Sequence, residues 1–177
     1  MKTVANLVGY QLVWLAVVWT AGRGSPELGI AACVVFVSVQ LAFSQARASD
    51  AMLVLLALAL GLIVDGSLAR SGLVRYAAFE AWMPAPLWIL ALWAAFAMTF
   101  NHSLAWLRGR PGASALLGAV GGPLAYLGAA RGFGAVSFAE PPRGSLIALA
   151  IGWGAALAVL SVFAGYRKRA AAEHPTA

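Results

Sequence analysis

The sequence predicts an all-α integral membrane protein folded as a compact bundle of six transmembrane helices. Apolar residues make up 62% of the 177 residues and charged residues only 10%, whereas a water-soluble domain carries roughly 25% charged residues. The mean hydropathy is +0.85. Six apolar stretches approach the roughly 20 residues with which a helix crosses a bilayer core. The connections between these stretches are too short to hold a separate soluble domain.

The six helices form a single transmembrane domain over 1–166. They are predicted at about 4–21, 26–43, 51–66, 85–107, 112–130 and 145–166. The run 52–64, MLVLLALALGLIV, lacks the alternation of polar and apolar residues that a barrel strand requires. The first stretch has no clean small-x-small cleavage site, so we expect it to be retained as a helix of the bundle. Residues 167–177 are predicted to be a basic and then polar cytoplasmic tail.

Basic residues favour an orientation with both termini in the cytoplasm, because cytoplasmic loops carry an excess of Lys and Arg. This orientation places seven basic residues inside: Lys2, Arg47, Arg108, Arg110, Arg167, Lys168 and Arg169. Five then lie outside: Arg23, Arg70, Arg75, Arg131 and Arg143. The inner connections, Ser44–Asp50 and Arg108–Pro111, are short. The pattern predicts three helical hairpins with an N-in/C-in orientation.

The two longer outer connections, Gly66–Pro84 and Arg131–Gly144, differ in character from the inner ones. They carry β-branched and aromatic residues among Gly and Pro, as in GLVRYAAFEAWMP and GFGAVSFAEPP. Such segments are typical of short strands or of loops at the membrane interface. We therefore expect most of the non-helical structure at the outer face.

Several site types are excluded by composition. Cys33 is the only cysteine, and His102 and His174 are the only histidines, with His174 in the polar tail. An intrachain disulfide, a cysteine metal site and bis-histidine haem ligation are thereby ruled out for this chain. The chain also lacks phosphate-loop, dinucleotide and zinc-protease motifs. We expect no cofactor and no metal. The net charge of +6 reflects helix ends facing anionic lipid headgroups, so it does not indicate nucleic acid.

The first helix carries polar residues along one face. Asn6, Tyr10 and Trp14 are spaced by four residues and share that face, with Gln11 beside them. Polar side chains in a membrane helix face other helices, because hydrocarbon offers them no partner. Two interpretations are open: hydrogen bonds and aromatic packing between helices, or one wall of a polar cavity.

Asp65 is the first of two candidate catalytic residues. A carboxylate at helix depth is costly and often functional, but Asp65 ends its apolar run and is followed by Gly66. This position predicts a place near the outer interface. There it would either pair with Arg70 or Arg131, or bind a ligand or a proton.

His102 is the second candidate, near the cytoplasmic end of the fourth helix with Thr99 and Asn101. Its ordinary pKa of about 6.5 suits a general base. Counting from Pro84 places His102 about 27 Å along the helix. Because Asp65 lies near the opposite boundary, we do not expect a direct Asp65–His102 dyad.

The fifth helix carries the clearest backbone pattern. Gly118 and Gly122 have the small-xxx-small spacing that lets helices approach closely. Pro123 removes a helical hydrogen bond and favours a kink, with Tyr126 one turn beyond. Packing alone explains this pattern, and so does a ligand bound at exposed carbonyls.

Tryptophan is abundant, with seven residues in this short chain. Trp82 and Trp106 fit interfacial belts. The other candidates lie within helices, where they would pack the core or line a groove for an acyl chain: Trp14, Trp88, Trp93 and Trp153.

Taken in order, these motifs resemble a bacterial inner-membrane family of unknown function. The matching pieces are Asn6-xxx-Tyr10-Gln11-xx-Trp14, Asp65, Pro86-Leu87-Trp88, Leu92-Trp93-xx-Phe96-Ala97, Asn101-His102-Ser103-Leu104-Ala105-Trp106-Leu107 and Gly121-Gly122-Pro123-xx-Tyr126. Members are often encoded beside proteins similar to cyclopropane-fatty-acid synthases and flavin amine oxidases. The resemblance implies a link to fatty-acyl or membrane-lipid modification, and it supplies no catalytic residue.

We therefore expect a non-catalytic component of a bacterial inner membrane that binds lipid or assists lipid modification. Its expected partners are membrane lipids and other membrane or lipid-modifying proteins, with a homo-oligomer left open and no nucleic acid. Arg70 and Arg131 would hold phosphate headgroups.

One alternative is a small enzyme. Its inner site would combine His102 with Asn6, Tyr10, Gln11 and Thr99, and its outer site Asp65 with Tyr126 and an Arg. A solute or proton-coupled carrier using Pro123 and Asp65 is the other alternative.

Overall fold

The computed structural model describes residues 2–80 and 82–173, with side chains over 3–80 and 82–167. The described residues form six α-helices: α1 Lys2–Gly22, α2 Glu27–Phe43, α3 Arg47–Arg70, α4 Leu87–Ala97, α5 Pro111–Phe133 and α6 Arg143–Glu173. They also form a 3-10 turn at Ala105–Leu107 and two strands, β1 Val74–Tyr76 and β2 Val136–Phe138. His174 and the end of the predicted tail lie outside the described residues.

Four helices are long and apolar enough to cross a membrane: Thr3–Gly22, Arg47–Arg70, Pro111–Phe133 and Arg143–Arg167. The two others are apolar but shorter, with 17 residues in α2 and 11 in α4. The predicted all-helical architecture with membrane-length helices is therefore confirmed for these four.

The prediction of one continuous helix over 85–107 is wrong. The helix ends at Ala97, and the chain then runs through turns to the 3-10 turn. Thr99 Oγ1 donates to the carbonyl oxygen of Phe96 at 2.6 Å, and such side-chain bonds to backbone compete with the helical ladder. Met98, Thr99 and Phe100 are buried inside the protein. Irregular backbone at membrane depth is tolerated there because it does not meet lipid.

The third helix is longer at both ends than the predicted range 51–66. It begins at Arg47, which places Asp50 in its first turn instead of in the inner loop. It ends at Arg70, which places Asp65 more than one turn inside the helix instead of at its end. Both acidic side chains are fully buried.

Helix α4 is the central element of the bundle. It packs against α1, α2 and α3, and most of its residues are buried, including Trp88 and Trp93. A helix that is apolar on all sides is expected to be surrounded by protein or lipid. Neighbours in sequence also pack pairwise: α1 with α2, α3 with α4, and α5 with α6.

The close approach of α5 to α6 depends on two glycines. A Cβ atom on Gly118 would lie 2.3 Å from the carbonyl oxygen of Trp153, and one on Gly122 would lie 2.6 Å from its ring. The small-xxx-small spacing therefore serves helix packing. Helix α5 continues through Pro123 to Phe133.

A two-stranded antiparallel sheet joins the two longer connections. Its register pairs Val74 with Phe138 and Tyr76 with Val136. The short strands predicted as one possibility for these connections are present. The sheet directs Tyr76, which is buried, toward the helices.

Candidate functional site

The buried carboxylate of Asp65 is the meeting point of four elements. Tyr76 of β1 donates its hydroxyl to Oδ1 at 2.8 Å, and Trp93 of α4 donates Nε1–H to Oδ2 at 2.6 Å. The hydroxyl of Tyr126 in α5 also donates to Oδ1. We call these four residues the Asp65 cluster.

The Asp65 cluster satisfies a carboxyl group with uncharged donors. An indole N–H can only donate, so Oδ2 acts as an acceptor. Burial, together with Tyr126 and Asp65 nearby, raises the pKa of Tyr76 well above its ordinary value. Tyr76 therefore keeps its proton and donates. Three donors thus converge on the two oxygens of one carboxyl group.

The expected pairing of Asp65 with Arg70 or Arg131 is wrong. Both arginines are exposed, and the hydrogen bonds of Asp65 in the described chain all come from aromatic side chains. Arg70 lies instead at a surface hollow beside Phe79 and Trp82. The prediction that Asp65 and Tyr126 lie together agrees with the observed hydrogen bond.

Aromatic packing fixes the donors of the Asp65 cluster. Trp93 stacks on Trp153 with ring centroids 4.1 Å apart and planes inclined by 16°. Tyr126 meets Tyr76 and Trp153 edge-on, at 6.5 and 6.3 Å. The indole nitrogen of Trp153 is buried close to the Tyr126 hydroxyl without the geometry of a hydrogen bond. Offset and edge-on aromatic pairs of this kind favour one arrangement of the rings.

An apolar cavity of about 410 Å³ lies between α1, α4, α5 and α6, and we call it the central cavity. Trp93 and Tyr126 of the Asp65 cluster line it, while the carboxylate itself does not. Its lining contains no Asp, Glu, His, Lys or Arg among the described residues. Among the lining residues, Gln11, Leu117 and Leu124 are exposed. The central cavity therefore opens between α1 and α5.

Six of the predicted ligand-binding residues line the central cavity: Tyr10, Gln11, Trp14, Trp88, Gly122 and Tyr126. A groove formed by helix tryptophans is therefore present. Pro123 lies in the same stretch of α5 but is not among the lining residues. The cavity brings together residues from the first, fourth and fifth predicted helices.

A second polar cluster lies near the start of α3. Asp50 accepts a hydrogen bond from Asn101 Nδ2 at 2.7 Å and lies 3.2 Å from His102 Nε2. Asn101 Nδ2 also donates to Ser49 Oγ at 3.2 Å, and Asn101 accepts from Arg108 at 3.3 Å. The His102 side chain is 24% exposed. We call Asp50, Asn101, His102 and Arg108 the inner cluster.

The predicted inner site is divided by the structure. Asn6 accepts from Ser103 Oγ at 2.6 Å and donates to the carbonyl oxygen of Met98 at 3.2 Å, so it holds the segment after α4. The Thr99 hydroxyl donates to the carbonyl oxygen of Phe96, three residues earlier in the chain, and does not reach His102. Tyr10 and Gln11 line the central cavity and do not join His102.

Sequence analysis missed Asp50, Tyr76 and the hydrogen-bonding role of Trp93. The predicted start of the third helix leaves Asp50 in a loop, although an acidic residue just before a long apolar run is a typical start of a helix. Tyr76 lies in a three-residue strand whose pairing is set by distant sequence.

Among the described residues, no group of His, Cys, Asp and Glu is arranged to hold a metal ion.

Removing one donor of the Asp65 cluster should weaken the fold. We expect Tyr126→Phe to lower the free energy of unfolding by about 1–2 kcal/mol, because a buried acceptor loses one of its partners. Thermal unfolding in detergent measures the effect. Tyr166→Phe is the matched control, since Tyr166 is exposed. Equal melting temperatures for the two variants would contradict a structural role for the cluster.

The comparison with protein families adds one finding. A model described as protein of unknown function (DUF2878) matches residues 3–159, which is most of the chain. No curated protein and no solved structure matches. The resemblance to a family of unknown function is confirmed at this level. The chain belongs to the DUF2878 family of proteins of unknown function.

Proposed function

We propose that this protein is a multi-pass protein of a bacterial inner membrane that binds one apolar chain of a lipid in the central cavity. The observation that supports the proposal is the cavity itself, with its uncharged lining and its opening between α1 and α5. Its volume of about 410 Å³ lies in the lower part of the range of roughly 300–1,000 Å³ for small-molecule sites. That size suits a single chain.

The position of the opening suits a ligand that arrives from the bilayer. Helices α1 and α5 are both long enough to cross a membrane, so the gap between them faces hydrocarbon. A lipid chain that enters there moves from the apolar interior of the bilayer into the apolar cavity. Its binding then depends on packing against rigid rings such as Trp14, Trp88 and Trp153, and aromatic rings offer large contact areas.

Binding is better supported than chemistry at this cavity. The described residues that line it include no Asp, Glu, His, Lys or Cys, and of its two tyrosines, Tyr126 already donates its hydroxyl to Asp65. The cavity therefore lacks a paired acid and base or an activated nucleophile. We infer an accessory role in fatty-acyl or membrane-lipid modification, with membrane lipids as ligands and lipid-modifying membrane proteins as partners. A homo-oligomer is compatible with this role.

Filling the central cavity should abolish lipid binding. A Cβ atom on Gly121 meets nothing within 4 Å, and Gly121 lines the cavity. We expect Gly121→Leu to reduce co-purified lipid about tenfold or more in native mass spectrometry, because the leucine side chain occupies the space of the ligand.

The matched control is Gly132→Leu, in the same helix, at a position that is also open and lies away from the cavity. Both variants should unfold at similar temperatures. If Gly121→Leu retains the lipid content of the wild type, the cavity is not the binding site.

We further propose six crossings with both termini in the cytoplasm. In this arrangement α4 together with the segment up to Leu107 forms one crossing, and the 17 residues of α2 form another. The charge bias supports it, since Arg47, Arg108 and Arg110 then lie inside. In the same arrangement, the two-stranded sheet and the surface hollow beside Arg70 lie on the outer side of the membrane.

Cysteine labelling tests this orientation. In a Cys33→Ala background, we expect Arg75→Cys to react with an impermeant maleimide from outside and Arg110→Cys only after the membrane is opened. Both arginines are exposed in the structure. Labelling of the two positions from the same side would show that the orientation or the number of crossings is wrong.

A second candidate function is acid–base catalysis at the inner cluster. The specific observation is that buried Asp50 lies 3.2 Å from a partly exposed His102. A carboxylate that orients a histidine is a recurring arrangement for a general base. The carrier alternative has no such support, because Asp65 is buried and bonded to three donors away from the cavity space.

Substitution of the pair tests the enzymatic candidate. If the inner cluster is catalytic, His102→Gln and Asp50→Asn should each lower lipid-product formation in cells by about 100-fold, as expected when a general base is lost. Immunoblotting of membranes checks that protein abundance is unchanged. Full product formation with either variant would reject catalysis by this pair.

A further inference from the structure

We propose that the ligand of the central cavity is a neutral amphiphile, an apolar chain whose alcohol or ester group hydrogen-bonds to α1 near mid-membrane depth. This inference rests on the proposed binding of a chain in the cavity and specifies the chemical class of that chain.

The first observation concerns charge. A carboxylate or phosphate inside the cavity would need a cation or several donors to replace its hydration. The described lining residues include no Lys, Arg or His. Arg70 and Arg131 are exposed on the outer side and do not line the cavity. The part of the ligand inside the cavity is therefore uncharged.

The second observation concerns unused polar groups on α1. Tyr10, Gln11 and Trp14 all line the cavity. Tyr10 packs its ring edge-on against Phe96 at 5.6 Å, and Trp14 packs in the same way against Phe133 at 6.1 Å. Within the described chain, none of the three polar side chains forms a hydrogen bond, and their polar atoms are not fully enclosed by the packing. An entirely apolar ligand would leave this set of donors and acceptors without a partner.

The third observation is the place of Gln11. It is exposed at the cavity opening, nine residues after the start of α1 and eleven before its end. At 1.5 Å per residue, these positions are about 14 and 16 Å from the two ends of the helix. An amide at that depth faces hydrocarbon about 30 Å thick unless a polar group meets it.

The depth of Gln11 also distinguishes two sources of an ester group, a membrane phospholipid and a free neutral lipid. The ester groups of membrane phospholipids lie at the interface, near the ends of α1, whereas Gln11 lies near its middle. A free neutral lipid such as a fatty alcohol or fatty ester can place its polar group at this depth. A glutamine amide both donates and accepts, so it binds a hydroxyl or a carbonyl group.

Fluorescence quenching by brominated lipids tests the inference. The wild-type protein in phosphatidylcholine nanodiscs is titrated with four dibrominated probes of equal chain length, made from oleyl alcohol, methyl oleate, oleate and octadecene. Tryptophans that line the cavity report contact with the bromine atoms. We expect the alcohol and the ester to bind about tenfold more tightly than the hydrocarbon and the carboxylate, which corresponds to one or two neutral hydrogen bonds.

The decisive variant is Gln11→Leu, with Gln40→Leu of α2 as its control. Gln40 is a half-buried glutamine that does not line the cavity. We expect Gln11→Leu to bind all three uncharged probes with affinities within about twofold of one another, because the partner of the polar group is gone. Gln40→Leu should keep the wild-type preference.

Three outcomes would overturn the inference in distinguishable ways. Equal affinity of the wild type for all probes would leave chain binding intact and remove the neutral-group preference. Binding of the alcohol and ester probes that is seen in detergent but lost in the phosphatidylcholine nanodiscs would assign the site to a phospholipid chain. If the Gln11→Leu substitution dissociates an oligomer of the protein but leaves the preference among the probes unchanged, Gln11 belongs to a protein interface. Absence of binding by every probe would instead refute the proposed function.

Discussion

The carboxylate of Asp65 is the constraint that ties the two-stranded sheet to the helices. A carboxyl group in the middle of a packed bundle is costly unless its oxygens are hydrogen-bonded. Its three donors come from β1, α4 and α5, so satisfying one group fixes the positions of three elements relative to α3. Trp88 extends this connection, since its Nε1 donates to the carbonyl oxygen of Ala77, just after β1, at 2.9 Å. The short sheet is thereby attached to the helices at two points.

The same donors form part of the central cavity. Trp93 and Tyr126 direct their polar atoms to Asp65 while their rings contribute to the apolar lining. Gly118 and Gly122 bring α5 against Trp153, which stacks on Trp93. Trp93, Tyr126 and Trp153 are therefore each held by a hydrogen bond or a close glycine contact away from the cavity. Rings held in this way bound a preformed space, and a preformed site lowers the ordering cost of any ligand that enters it.

The sequence was informative about solvent and helix periodicity and less informative about polar partners. Composition and hydropathy predicted membrane helices because burial in lipid requires long apolar runs. The spacing of Gly118 and Gly122 predicts a close helix contact because the small-xxx-small pattern lies within five consecutive residues of one helix. The sequence indicates Asp65 as an unusual residue and places Tyr126 beside it, which the hydrogen bond confirms. The alternative pairing with arginines is wrong, and Tyr76 is missed because its position depends on a sheet with residues far along the chain. The predicted fourth helix is too long because hydropathy contains no information on the hydrogen bonds that Asn101 and Ser103 form with other helices.

The break after the fourth helix has a consequence for the order in which the chain can fold. Asn6 of α1 bonds to the backbone of the segment after α4, and Asn101 within that segment donates to Asp50 of α3. These two partners precede the segment in the chain and are synthesised earlier. Ser161 of α6, whose hydroxyl donates to the carbonyl oxygen of Leu107, follows it. The first half of the segment can therefore meet its partners during synthesis, whereas its end is completed only after α6 has been made.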